Sequence, residues 1–189
     1  MLSGNRSKIF VMLFIMLGCL PVISAASLSR DENGSQDEFQ FNPQLARAGD
    51  AFTSLTDSFA CKDSGEPIYP DYYCGAWLDE DEKTLVIGLT EISDEITKRY
   101  SKTIGSEYDN VRYVKMTYSR NELKRALEAA AAAIEKELHI TVTARTISDM
   151  ENIGIIGVLR EEDCAAIRSS GIINGLPVVV ECIPPVKLC

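Results

Sequence analysis

The chain has 189 residues, of which 28 are acidic, 19 are basic and one is histidine, so its formal net charge is −9 at pH 7. A surface this acidic repels nucleic acid and anionic lipid, which excludes nucleic acid as a partner. The single histidine and the widely spaced cysteines match no usual zinc or haem spacing, so we expect no metal and no other cofactor.

The first 26 residues are arranged like an export signal. Two cations, Arg6 and Lys8, precede an apolar run over residues 9–23. This run is shorter than the roughly 20 residues that a bilayer-spanning helix needs, and small residues follow it. We therefore predict a signal peptide over residues 1–26 and a secreted, periplasmic or cell-envelope location. One alternative stays open, because Cys19 lies in a loose lipobox and would carry a membrane-anchoring lipid in an envelope lipoprotein.

The chain after the signal divides into a polar segment and a folded region. Residues 27–60 are rich in acids and lack periodic apolar positions. This composition is typical of a flexible acidic leader. The folded domain is predicted over residues 61–189.

Export favours disulfide bonds among the cysteines that remain after cleavage. These are Cys61, Cys74, Cys164, Cys182 and Cys189. Cys61 and Cys74 bracket a segment whose glycine and prolines favour a compact loop, so we predict that they pair. Cys182 could pair with Cys164 or with Cys189, and the sequence does not choose. The odd number leaves one thiol unpaired or bonded to another molecule.

Hydrophobic periodicity predicts the first elements of the folded domain. Extended stretches over residues 77–79 and 84–90 flank a charged turn, which indicates a hairpin. Apolar residues then recur every fourth position over residues 92–104, before Gly105, which indicates an amphipathic helix with a glycine stop. A strand pattern follows over residues 111–118.

The second half begins with a capping box formed by Ser119 and Glu122. The helix that it opens has one apolar face, made of Leu123, Leu127, Ala130, Ile134 and Leu138. Residues 140–147 and 153–159 then predict a second hairpin, residues 161–170 a short helix, and residues 177–183 a last strand. No sequence repeat of fixed period is evident. We therefore predict an α+β fold, in which two or three helices pack on one face of a mainly antiparallel sheet of hairpins.

The sequence contains no convincing catalytic centre. Ser64 lies in a D-S-G run, but a nucleophilic serine needs a base, and the only histidine, His139, ends the long helix. The acidic run 79–82 lacks the glycine and the bidentate acid of a calcium loop, so a solvated hairpin turn is favoured. No glycine-rich phosphate loop is present. We predict that the protein is not an enzyme.

Two motifs resemble a known family. The run Y-C-G-A-W-L-D from Tyr73 to Asp79, with L-V-I-G-L-T at residues 85–90, resembles the opening hairpin of the pro-domain of the α-lytic protease and streptogrisin family. Downstream, a D-x-x-N turn at residues 149–152 is similar to a second hairpin of that family. The resemblance covers about residues 70–183 and implies structural roles for Tyr73, Gly75, Trp77, Asp79 and Asn152.

The resemblance implies a non-catalytic module that binds a protein or peptide, such as a secreted serine protease. In the family, the pro-domain helps its protease to fold and then inhibits it. Its sheet pairs with a protease hairpin, and its tail lies in the substrate cleft. No protease follows here, so we expect a stand-alone inhibitor or folding helper that acts in trans. Its extended tail would be Pro184, Pro185, Val186, Lys187, Leu188 and Cys189. The alternatives are an envelope lipoprotein with a structural or adhesive role, and an unrecognised secreted enzyme.

Overall fold

The same five-element unit occurs twice along the chain. The structure is a computed structural model that describes residues 42–105 and 108–183. The first repeat comprises α1 (Pro43–Asp57), β1 (Tyr73–Asp79), β2 (Thr84–Leu89), α2 (Asp94–Ile104) and β3 (Val111–Lys115). The second repeat comprises α3 (Arg120–Glu137), β4 (Ala144–Ser148), β5 (Ile153–Val158), α4 (Glu161–Ser170) and β6 (Val178–Cys182). The predicted α+β class is confirmed.

Each repeat forms its own three-stranded sheet, in the orders β1-β2-β3 and β4-β5-β6. The first two strands pair antiparallel through a tight turn, and the third pairs parallel with the middle strand. A parallel pairing requires a crossover, which α2 and α4 provide. The single, mainly antiparallel sheet of the sequence prediction is thus two small mixed sheets with four helices.

The two middle strands share a local sequence that the repeat explains. Residues 86–89 read V-I-G-L, and residues 155–158 read I-I-G-V. In each case the residue just after the third strand covers the glycine: Met116 lies over Gly88, and Ile183 lies over Gly157. Both covering residues also donate their backbone N–H to the residue after the glycine. Only two of these four positions are identical, which is too few to appear as a repeat in the sequence.

The predicted leader over residues 27–60 is corrected by α1. Asn42 caps this helix, with its side chain accepting hydrogen bonds from the N–H groups of Gln44 and Leu45. The buried face of α1 is built from Ala48, Ala51 and Leu55. Alanines give a weak apolar signal, so the sequence pattern does not reveal this buried face. Residues 42–60 therefore belong to the folded region, while residues 1–41 lie outside the described part.

Each sheet packs one face against the helices of its own repeat, which produces two hydrophobic cores. The first core contains Ala51, Leu55, Tyr73, Ala76, Leu85, Ile87, Leu89, Tyr100 and Ile104. The second contains Leu127, Ala130, Ala131, Ile134, Ile140, Ile156, Val158, Cys164, Ile167, Val178 and Val180. The predicted capping box of α3 is confirmed, with Ser119 and Glu122 bonding each other's backbone N–H. Within the described ranges, no helix has the length and apolar character needed to cross a bilayer.

A substitution at Gly157 tests how closely the second repeat is packed, and Gly49 in α1 provides the comparison. A Cβ at Gly157 would lie 2.9 Å from Ala144 Cβ and would overlap Ile183. We expect Gly157→Ala to lower the free energy of unfolding by about 1–3 kcal/mol through overpacking. Gly49→Ala is the matched control, because nothing lies within 4 Å of a Cβ at that helical position. It should raise the unfolding free energy by about 0.5–1 kcal/mol. Urea titrations measure both, and equal effects of the same sign would contradict the packing.

Candidate functional site

The two repeats meet at the carboxylate of Asp149, in the turn between β4 and β5. This carboxylate accepts a hydrogen bond of 3.2 Å from the backbone N–H of Ala76 in β1. It also forms an ion pair with Arg120, the first residue of α3. The side chains of both charged residues are about three-quarters buried, with exposures of 21% for Asp149 and 26% for Arg120. One acid therefore joins a strand of the first repeat to a helix and a turn of the second.

Gly75 is the residue that lets Asp149 approach β1. Its φ of 154° lies in the region that favours glycine, and a Cβ there would lie 2.7 Å from Asp149 Cβ. Gly75 also lies at an irregularity in the pairing of β1 with β2. The family resemblance implies a structural role for Gly75, and this contact supplies a physical reason for a glycine at that position.

Asn152 holds the connection between the repeats. Its carbonyl oxygen accepts hydrogen bonds from the backbone N–H groups of Thr117 (3.1 Å) and Tyr118 (2.8 Å), and its amide donates to the Tyr118 carbonyl at 2.7 Å. Asn152 is buried and has a φ of 55°, which asparagine tolerates better than most residues. The two motifs that suggested the family, at residues 73–79 and 149–152, thus converge on one junction.

Aromatic rings and burial set the electrostatics of this junction. The guanidinium of Arg120 lies 5.1 Å from the ring centroid of Tyr69, which stacks on Tyr73. Burial raises the pKa of Asp149 above its ordinary value, although Arg120 opposes that shift. Burial acts to lower the pKa of Arg120, but Asp149, Tyr69 and Tyr73 together raise it more, so the net shift is upward. The pKa of Tyr73 is raised, mainly by burial, so its hydroxyl stays protonated.

A cleft of about 440 Å³ lies beside the junction. Its walls are formed by Lys62, Glu66, Pro67, Ile68, Tyr69, Arg120, Asn121, Lys124 and Ile147. Within it, Glu66 forms salt bridges with Lys62 (3.4 Å) and Lys124 (3.1 Å). These lysines lower the pKa of the Glu66 carboxyl, with Lys124 acting most strongly. The lining offers charged and aromatic groups for contact with a partner and contains no cysteine, histidine or serine that would act as a nucleophile or base.

The outer strand edges differ in how their backbone groups are used. At β1, the outward N–H of Ala76 is taken by Asp149. At β6, the guanidinium of Arg168 donates to the carbonyl of Val180 at 2.8 Å. Pro177 and Ile183 both bond to β5, so the odd-numbered residues along β6 face that strand. The carbonyl of the even-numbered Val180 therefore points away from β5. Side chains therefore occupy part of both edges.

The β3 edge carries no such block among the described residues. Asn110 and Met116 bond to β2, so the odd-numbered residues of β3 direct their N–H and C=O groups outward. The outward N–H of Val111 bonds locally to the Asp109 carbonyl. The outward groups of Tyr113 and Lys115 have no hydrogen-bond partner in the described chain. An extended peptide could pair with them, which makes β3 the candidate binding edge.

The other motif residues have structural positions. Asp79 ends β1 and forms a salt bridge of 2.9 Å with Arg112 of β3, which also bonds Glu82 at 2.9 Å. Trp77 is half-buried opposite Val86, on the sheet face away from the helices. Tyr73 belongs to the first core. Over residues 42–105 and 108–183, no group of three or more histidine, cysteine or acidic side chains is placed to hold a metal ion.

The predicted disulfide between Cys61 and Cys74 is not formed in the structure. Cys61 is exposed, whereas Cys74 is buried in β1. Backbone bonds close the intervening turn instead: Lys62 N–H donates to the Glu66 carbonyl, and Cys61 bridges Pro67. Cys164 and Cys182 are also thiols. Cys189 and the predicted binding tail over residues 184–189 lie outside the described residues, as does Cys19.

Comparison with known families adds one finding. Residues 32–114 match the model of a family described as a Pro-like N-terminal domain. The matched stretch, which is similar to such a domain, includes α1, β1, β2, α2 and nearly all of β3. This match supports a pro-domain-like family and does not single out the α-lytic protease family. A comparison with curated proteins finds no similar sequence.

Sequence reasoning missed two residues of this site. Arg120 and Arg168 were not singled out, because each bonds a group that is distant in sequence or part of the backbone. The position of Arg120 one residue after the predicted N-cap was the only local signal. Asp149 appeared within the family motif, but its contact with β1 requires a register that sequence does not provide.

Removing the Asp149 carboxylate tests the junction. We expect Asp149→Ala to lower the free energy of unfolding by about 2–3 kcal/mol, because Arg120 and the Ala76 N–H lose their partner while largely buried. Glu135→Ala is the matched control, since its salt bridge with Arg145 is exposed and should contribute less than about 1 kcal/mol. Chemical denaturation measures both. A loss at Asp149 no larger than the loss at Glu135 would contradict the assigned role.

Thiol labelling tests the environments of Cys61 and Cys74. Burial raises the pKa of Cys74 to about 12, so its reactive thiolate is scarce at pH 8. We expect an alkylating reagent to modify the exposed Cys61 in the reduced, folded protein and to spare Cys74 until denaturant is added. Peptide mass spectrometry identifies the modified residue. Equal labelling rates in the folded state would contradict the burial of Cys74.

Proposed function

We propose that the protein is an exported, non-catalytic binding module that acts as a pro-domain-like inhibitor or folding helper in trans. The match to a Pro-like N-terminal domain supports a pro-domain-like module. The N-terminal sequence supports export, because cations precede a short apolar run and small residues. The partner is a protein or peptide, and a secreted serine protease is the first candidate.

The unblocked edge of β3 is the observation that carries this proposal. The outer edges of β1 and β6 use a largely buried acid and an arginine to occupy outward backbone groups. β3 has only β2 as its sheet neighbour, and its outward groups at Tyr113 and Lys115 remain available in the described chain. A strand of the partner would add to this edge through backbone hydrogen bonds. The family resemblance points the same way, since that family's sheet pairs with a protease hairpin.

An exposed cation, Lys115, lies at the end of the proposed edge on an otherwise acidic protein. Lys115 is exposed at the end of β3, and Arg112 is neutralised by Asp79 and Glu82. A lysine on an edge strand also discourages association between copies of the same protein. The edge therefore favours pairing with a strand of a different protein over pairing with a second copy of this chain.

A lipid anchor at Cys19 would change the location and leave the binding edge intact. In that case the protein is an envelope lipoprotein, and its role is structural or adhesive. Mass spectrometry of the mature N-terminus distinguishes a chain that starts after residue 26 from one that starts at a lipidated Cys19.

The proposed edge is tested by Lys115→Pro, with Lys115→Ala as the matched control. Proline removes the outward N–H of residue 115 and leaves the β2–β3 bonds intact, because those bonds use the even-numbered residues. We expect Lys115→Pro to weaken binding to a secreted serine protease at least about 10-fold, which is the effect of losing about 1.4 kcal/mol. Lys115→Ala should change affinity much less. Inhibition assays against a panel of secreted serine proteases provide the measurement.

Two results would each contradict one part of this proposal. If the unmodified protein neither inhibits nor binds any protease of the panel, the inhibitor role fails. If it binds and Lys115→Pro binds equally well, the β3 edge is not the site. A chain that ends at Ile183 then tests the alternative tail contact, since undiminished inhibition by this shorter chain would exclude residues 184–189.

A further inference from the structure

Two thiols meet in the core of the second repeat. Cys164 lies in the first turn of α4 and is fully buried. Cys182 is the last residue of β6, is partly exposed, and packs against the core to which Cys164 belongs. A helix and a strand that are separate in sequence thus direct cysteines to one place.

The turn from β5 into α4 holds both cysteines. Cys182 is the register partner of Val158 at the end of β5, and its thiol donates to the carbonyl of Leu159 at 3.5 Å. The backbone N–H of Cys164 donates to the carbonyl of Arg160 at 3.2 Å. Three consecutive residues of one turn therefore position the two cysteines, and Cys182 packs against the hydrophobic cluster that contains Cys164.

The other pair of described cysteines lacks this arrangement. The thiol of Cys61 faces the carbonyl of Phe59, and the thiol of Cys74 faces the carbonyl of Tyr72. One is exposed and the other is buried in a strand. Within the described ranges, the second repeat is the better place for a disulfide.

We infer that Cys164 and Cys182 form a disulfide bond when the protein reaches an oxidising compartment. The oxidant is a small disulfide such as oxidised glutathione. The thiolate of the more exposed Cys182 attacks one sulfur of the oxidant and displaces a small thiolate. The thiolate of Cys164 then attacks the Cys182 sulfur of this mixed disulfide and displaces the second small thiolate. Two cysteine thiols are oxidised, one small disulfide is reduced to two thiols, and the two cysteine protons end on those thiols.

The surroundings make this reaction slow near neutral pH. Burial raises the pKa of Cys164 and of Cys182, and the nearby carboxylate of Glu161 adds to both shifts. The charge of Arg168 opposes the pKa shift at Cys164, while Asp163 adds to it. Glu162 adds to the pKa shift at Cys182. Because the thiolate is the attacking species and its fraction rises about tenfold per pH unit below the pKa, the bond should form roughly 50-fold faster or more at pH 9 than at pH 7.

A tryptic peptide map tests whether Cys164 and Cys182 are linked. Cleavage after Arg160, Arg168 and Lys187 releases Cys164 in residues 161–168 and Cys182 in residues 169–187. The full chain is incubated with oxidised glutathione, alkylated, digested and analysed with and without reductant. We expect one linked species that joins these two peptides and disappears on reduction.

Other linkages would give different products. A bond from Cys182 to Cys189 would join residues 169–187 to residues 188–189, and a bond between Cys61 and Cys74 would leave both peptides of the second repeat unlinked. Either product in place of the expected one, or free thiols at Cys164 and Cys182 after complete oxidation at pH 9, would overturn the inference.

A thermal measurement provides an independent check. Closing the loop between residues 164 and 182 restricts the unfolded chain, so oxidation should raise the Tm by roughly 5–10 °C. Cys182→Ser is the control, because its partly exposed site tolerates a hydroxyl, and oxidation should leave the Tm of this variant unchanged. An equal rise in the variant would assign the stabilisation to another pair of cysteines.

Discussion

The carboxylate of Asp149 is the contact on which the arrangement of the two repeats depends. It lies in the hairpin turn of the second repeat and reaches both the backbone of β1 and the guanidinium of Arg120. The approach requires glycine at position 75, because any side chain would overlap the acid. Three residues later, Asn152 bonds the chain that connects the repeats. A single turn therefore sets the position of a strand, a helix and a linker.

The same charged groups also determine which surfaces remain available. A buried ion pair is seldom a strong source of stability, because desolvation offsets much of its attraction. Here the acid has a second effect, since it occupies an outward N–H of β1. Arg168 does the same for an outward carbonyl of β6. With these two edges partly blocked, the outer edges remaining are those of β3 and β4, and β3 is the proposed binding edge.

Local sequence signals predicted the order of nine of the ten elements, the capping box at Ser119 and both hairpins. These features depend on residues that are near one another in the chain. The leader prediction was wrong over α1, because alanine spacing gives little contrast between helix faces. The junction was beyond sequence reasoning, since Asp149 and Ala76 are separated by 73 residues. The Cys61–Cys74 prediction rested on loop composition alone, whereas backbone bonds close that loop in the structure.

The repeat of one strand order has a consequence for folding kinetics. Every described strand pairing joins strands of the same repeat, so the sheets form from contacts at short sequence separation. Such contacts have a low cost in loop-closure entropy and favour rapid folding. The bonds made by Asp149 and Asn152 need both hairpins in place, so we expect them to form after the main barrier. Contacts absent from the transition state act mainly on the unfolding rate. The contacts at the junction would then set the unfolding rate of the two packed repeats, while the contacts within each sheet set the folding rate of that repeat.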